Sequence, residues 1–195
     1  MKKIFTFMLC AALLCACLSG CYDENTARTS GITDTLASSS DILSVSETDI
    51  DYSGYVIPAE EGLEYSPWEA CEGSYVRFAE EKLLDMAGKV SSLCMYEETL
   101  KDYRTPEAML ENAGFRRLVN DLRAWSFGAA SYPSETLGSE NEREICRTLS
   151  ELGQECADFA EHLPSFVLCQ NEEAMAECEN TVLGKIAQLK ALLEK

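Results

Sequence analysis

His162 is the single histidine of the chain, so any mechanism that needs an imidazole must be built on it. A Ser-His-Asp triad would use it as general base, and a Cys-His pair would have to draw on Cys169, seven residues downstream. No orienting acid or oxyanion donor can be assigned around it, and its place in the last turn of an expected helix suits a cation meeting the helix dipole. No catalytic residue is assigned, and the expectation is a protein that is not an enzyme. A di-iron carboxylate site needs two Glu-x-x-His motifs from different helices, which one histidine cannot supply. Cys-x-x-Cys spacing, haem-attachment spacing, EF-hand loops and glycine-rich phosphate loops are all missing from the sequence, so no metal and no cofactor are expected. The pairs Glu60-Glu61, Glu80-Glu81, Glu97-Glu98 and Glu172-Glu173 diverge by about 100° if helical and read as solvated faces.

A local reversal of charge is more suggestive. Arg116, Asn120 and Arg123 fall along one line of an expected helix, with Arg117 beside them, on the side away from its apolar stripe. Guanidinium groups bind carboxylates bidentately, so the line is a candidate docking point for an acidic partner. The competing reading is salt bridging to the protein's own acids, which number 34 against 16 basic residues. The net charge of −18 argues against nucleic acid and anionic surfaces as partners.

The elements that must position these residues are helical. Ser66-Pro67-Trp68-Glu69 matches a capping box with proline at the first helical position, and Ala79, Leu83, Met86, Val90 and Leu93 continue a helix to about Tyr103. Thr105-Pro106-Glu107 opens a second, with Phe115, Leu118, Leu122, Trp125 and Ala129 as its stripe. Ser139-Glu140-Asn141-Glu142 opens a third, carried by Ile145, Leu149, Leu152, Cys156, Phe159 and Leu163 and ended by Pro164. Asn171 caps a fourth, with Met175, Cys178, Val182, Ile186, Leu189 and Leu193. Short connections favour antiparallel neighbours, so the expected fold is an all-α, antiparallel four-helix bundle over 67–195; a three-helix core with an appended fourth helix, or a swapped dimer, satisfies the same periods. Gly88, Gly114, Gly153 and Gly184 each cost about 1 kcal/mol relative to alanine inside helices, so tertiary packing must hold them.

Ahead of the helices lie two segments of different character. Met1-Lys2-Lys3 is basic, Ile4 to Leu18 is largely apolar, and Leu18-Ser19-Gly20 precedes Cys21. The apolar run falls short of the roughly 20 residues that span a bilayer. The end of this segment resembles the lipobox of bacterial lipoproteins. The resemblance covers the leader only, and implies a signal peptide at 1–20, a diacylglycerol thioether on Cys21, and a mature protein held on the membrane outside the cytoplasm, in the cell envelope. Loss of Lys2 and Lys3 with the leader takes the charge from −18 to −20. From Tyr22 to Ser66 there are thirteen Ser or Thr, ten acids and one base, too little apolar surface to repay backbone entropy, so 21–66 reads as a lipidated cysteine followed by a disordered acidic tether. Its aromatic stretch from Ile50 to Pro58 is the part suited to packing on the domain or docking a strand.

Ten cysteines then reduce to six, because Cys10, Cys15 and Cys17 leave with the leader and Cys21 carries lipid. Cys156 and Cys178 each lie seven residues from the connection between the last two helices, about 10 Å below it, and are candidates for a disulfide. Cys94 with Cys169 is a second candidate pair. Cys71 and Cys146 match in height but sit on helices that are diagonal in a simple bundle. The alternative is cysteine as a small apolar residue, the use it has in the leader. Together these features lead to the expectation of a membrane-anchored helical interaction or structural module that meets an envelope protein or wall component. The alternative is a small-ligand or solute-binding lipoprotein with a pocket between helices.

Overall fold

The computed structural model describes residues 50–195, so the leader, the proposed lipid site Cys21 and the tether as far as Asp49 lie outside the described residues. The described chain is all-α: α1 spans Tyr75–Leu100, α2 Pro106–Glu111, α3 Ala113–Ala130, α4 Glu140–Leu168 and α5 Glu172–Leu193, with a single 3-10 turn at Ser134–Thr136.

The four long helices form a bundle in which α4 is central. α1, α3 and α5 all pack on it, whereas α1 has only slight contact with α3 and α5. Ion pairing of Glu151 with Lys185, and the bond from Asn141 Nδ2 to the Leu192 carbonyl at 3.2 Å, set α5 antiparallel to α4. Trp125 against Gly153, and Arg123 against Glu161 at 2.7 Å, do the same for α3. The first and third long helices, expected to be diagonal, are therefore in contact. The hydrophobic stripes explain why α4 can occupy this position: Ile145, Leu149, Leu152, Cys156, Phe159 and Leu163 are buried as their spacing requires, and so are Cys146, Thr148, Gly153, Ala157 and Ala160 beside them. Burial wider than one stripe requires more than one neighbour.

Helix boundaries follow local chemistry, with three departures from expectation. Ser66 does not open α1; Ser74 does, its hydroxyl accepting from the Arg77 N–H, after Gly73 has taken a φ of 108° that only glycine adopts without strain. The residues between are drawn across the bundle because Trp68 donates its backbone N–H to the Gly128 carbonyl at 3.3 Å and packs its ring edgewise on Trp125, centroids 4.7 Å apart. Thr105-Pro106 does open a helix, but Asn112 interrupts it after one and a half turns. With φ −67° and ψ 99°, Asn112 closes α2 and caps α3, its Oδ1 accepting from Gly114 N and Phe115 N at 3.1 Å each. Pro164 does not end α4. It is buried inside the helix, which runs on to Leu168 and closes in a Schellman motif: Asn171 N donates to Phe166 O, Gln170 N to Val167 O, and Gln170 occupies the left-handed position at φ 53°. The capping box at Ser139 and the cap at Asn171 fall where the sequence places them.

Residues 50–74 belong to the same compact unit as the helices. Ile57 is buried in the core and Tyr55 and Trp68 pack against it, so the aromatic end of the expected tether lies on the helices as an ordered strap.

Two helical glycines mark the close approaches. A Cβ at Gly153 would stand 2.7 Å from Cε3 and Cζ3 of Trp125 and 3.0 Å from the Ser126 Cα, while at Gly88 it would meet nothing within 4 Å. Gly153→Ala should therefore destabilise the protein by about 1–2 kcal/mol despite its better helix propensity. Gly88→Ala, at an exposed site on α1, should stabilise it by about 0.5–1 kcal/mol. Urea unfolding of the two variants checks the opposite signs.

Candidate functional site

The arginine line on α3 is the seat of the strap. Arg123, with only 9 % of its side chain exposed, donates from Nε to Glu161 Oε1 at 2.7 Å, from Nη2 to the Ile57 carbonyl at 2.5 Å and from Nη1 to the Pro58 carbonyl at 3.1 Å. Glu161 completes the lock through its backbone, whose carbonyl accepts from Ile57 N at 3.1 Å. One guanidinium thus satisfies a carboxylate of α4 and two carbonyls of the strap, a planar fork that lysine cannot reproduce. Arg116, one line further toward the start of α3, pairs with Glu60 at 3.7 Å, and Arg117 pairs with Asp121 at 3.8 Å along the helix. Asn120 is half-buried between them. Arg116, Arg117 and Arg123 thus meet the chain's own acids and carbonyls.

His162 is half-buried on α4. Its Nδ1 lies 2.7 Å from the Asp158 carbonyl, which can only accept, so Nδ1 carries the proton, and its ring stacks on Phe166 with centroids 5.9 Å apart. Asp158 is thus engaged with the imidazole through its backbone, and its carboxylate accepts from Gln154 Nε2 at 2.7 Å instead. Cys169 is exposed at the far end of the same helix, about 10 Å away along its axis, so the imidazole and that thiol are not brought together. Among the described residues no group of three His, Cys, Asp or Glu side chains is placed to hold a metal ion, and no helix is long and apolar enough to cross a membrane.

All six described cysteines are free thiols. Cys156 is fully buried on the core face of α4, where burial first and Glu155 second push its thiol up to about 12 from an ordinary 9.0. Cys178 is half-buried on α5, its thiol raised by burial and then by Glu177, Glu155 and Asp158. Cys94 is half-buried on α1 and is pushed up to about 12 by burial, followed by Glu179 of α5 and Glu97.

The feature that periodicity did not reveal is an aromatic knot at the start of α1. Trp68, Phe78, Trp125, Tyr75 and Tyr132 form a chain of ring contacts, with centroids between 4.7 and 5.7 Å. Lys82 Nζ covers the knot 4.4 Å from the Trp68 centroid. Tyr132 lies between α3 and the 3-10 turn; it is buried, accepts from Cys71 N at 3.3 Å and donates from its hydroxyl to Cys71 Sγ at 3.5 Å. Trp125 Nε1 and Tyr75 Oη are buried without a hydrogen-bond partner.

No family model matches the chain, and the searches of curated proteins and of solved structures returned no match.

The strap lock gives a direct test. Arg123→Ala leaves the Glu161 carboxylate and two carbonyls without their donor and should cost about 2–4 kcal/mol in urea unfolding. Limited proteolysis under native conditions should open cleavage in 50–66 before any cut within α3, α4 or α5, and Arg123→Lys should recover only part of the loss.

Proposed function

We propose that this protein is a membrane-anchored lipoprotein of the cell envelope, facing outside the cytoplasm, whose helical domain is a non-enzymatic interaction module. The observation that carries the reading is the leader, in which a basic start, an apolar run and Leu18-Ser19-Gly20-Cys21 occur in the order that lipid attachment requires. Two acyl chains on Cys21 meet the two-signal requirement for stable anchoring, since each buried methylene contributes about 0.8 kcal/mol.

Further support for the module comes from how the polar groups are used. Arg123, Arg116 and Arg117 serve the protein's own acids, and His162 serves a helix carbonyl, so the residues with chemical potential are engaged in holding the fold. The outward line of α1 offers a different kind of surface. Leu84, Gly88, Ser91 and Met95 lie within about 60° of one another around the helix, and Leu84 and Met95 are 58 % and 63 % exposed. A protein of the envelope or a wall component is the partner class that fits this address, and the surplus of acidic side chains favours a partner with a basic face.

Replacement of Cys21 by alanine tests the reading. The wild-type protein should fractionate with membranes and carry the mass of a diacylglycerol. Cys21→Ala should lose both. A Cys21→Ala protein that stays in the membrane fraction at unchanged mass would show that the anchor is something other than lipid.

A further inference from the structure

The outward face of α1 carries matching residues at equal distances from its centre. Arg77, Leu84, Gly88, Ser91, Met95 and Asp102 fall within an arc of about 60°, because Lys101 keeps helical angles at φ −60° and ψ −22° and carries the line past Leu100 to Asp102. Arg77 with Asp102, Leu84 with Met95, and Gly88 with Ser91 share one midpoint, between Lys89 and Val90. A two-fold axis through that midpoint and across the helix sets each of these residues level with its counterpart on a second, antiparallel α1.

The face is bare and suited to close approach. α1 rests on α4 and has only slight contact with α3 and α5, so it stands as a ridge on the bundle. Leu84, Gly88, Ser91 and Met95 are exposed, and a Cβ at Gly88 would meet nothing within 4 Å. Charged residues make up 26 % of the chain, yet Met86–Tyr96 contains only Lys89, whose ammonium is held back by Asp85 at 3.4 Å. The acidic surplus is therefore absent from the centre of this face.

Charge returns at the two ends with opposite sign. Arg77, with 82 % of its side chain exposed, reaches only Glu81 of its own helix at 3.5 Å, and Asp102 is exposed with no ion pair among the described residues. In the antiparallel pairing each Arg77 meets the Asp102 of the other copy. Glu98 comes level with Glu80 of the other copy but brings its own cation, since Lys101 Nζ lies 2.6 Å from Glu98 Oε1.

We propose that the partner seated on α1 is a second copy of this chain, packed antiparallel with Leu84 against Met95, Gly88 against Ser91 and Arg77 paired with Asp102. The inference rests on the interaction-module reading above and names the envelope protein that the face receives. Two chains held on one membrane meet at a raised effective concentration, and the repulsion between their net charges is screened beyond about 8 Å at physiological salt.

The ionic pairs give a test that a merely sticky surface would not pass. Arg77→Asp places an acid in the first turn of α1 and Asp102→Arg places a base just after its last, so the helix dipole favours both and the fold is retained. The full chain is measured in mild detergent by sedimentation velocity, with circular dichroism as the check on folding. The wild-type chain should form a dimer, and each single charge reversal, like Leu84→Glu, should weaken it about tenfold or more. Mixing Arg77→Asp protein with Asp102→Arg protein restores both ionic pairs in the antiparallel arrangement, so the mixture should dimerise about as tightly as the wild type. A wild-type chain that stays monomeric up to about 0.1 mM, a dimer indifferent to Leu84→Glu, or a mixture no tighter than its components would overturn the proposal. A monomeric chain that still loses its membrane anchor on Cys21→Ala would sink the dimer and leave the lipoprotein reading standing.

Discussion

The close approach of α3 to α4 at Gly153 is the constraint on which the rest of the structure depends. The Trp125 ring fills the space a side chain at 153 would take and also packs against Trp68, which in turn occupies the space over Gly128. Each glycine costs about 1 kcal/mol of helix propensity. Burying an aromatic ring against each returns more, about 2–3 kcal/mol apiece. Because the two rings meet at right angles, strap, α3 and α4 are fixed by one contact set. α1 joins through Phe78 and Tyr75 on the same knot. At the other end of α1, Tyr96 plays the corresponding part, its hydroxyl occupying the space beside Gly114 and its ring 5.4 Å from Phe115.

Electrostatics then decide where the chain before α1 lies. A chain of net charge −18 gains little from its exposed ion pairs, most of which join residues three or four apart on one helix. The Arg123–Glu161 pair differs because it is largely removed from water and shares its donors with two carbonyls of the strap. Removing either partner strands charge or carbonyl in a poorly solvated place, so this lock sets the position of residues 57 and 58 more firmly than their modest apolar content would. Ile57 follows into the core.

Much of the fold was legible in the sequence because helical periodicity reports burial directly. Every stripe residue expected in α3 and α4 is buried, and the caps at Thr105, Ser139 and Asn171 act as their residue types suggest. What was not legible depends on tertiary competition. Ser66-Pro67-Trp68-Glu69 has the composition of a helix start, but the Trp68 ring gains more by leaving that path for Gly128. Pro164 has the composition of a stop, yet it costs α4 one backbone bond while its ring is buried, and the true stop is the left-handed Gln170. The arginine line was visible as a charge reversal, but the carbonyls of Ile57 and Pro58 that meet it have no sequence signature. The contact of Cys71 and Tyr75 with Tyr132 was hidden for the same reason, since Tyr132 lies on a separate segment, 61 residues from Cys71.

The claim that α4 is the element the others are built on is tested most directly by native-state hydrogen exchange of the full chain, resolved by residue. If the account holds, the slowest amides lie in α4 between about Leu149 and Ala160 and exchange only by global unfolding, with those of α1 and α5 opening earlier. Greatest protection in α1 or α5, with α4 exchanging through local opening while they stay closed, would contradict it.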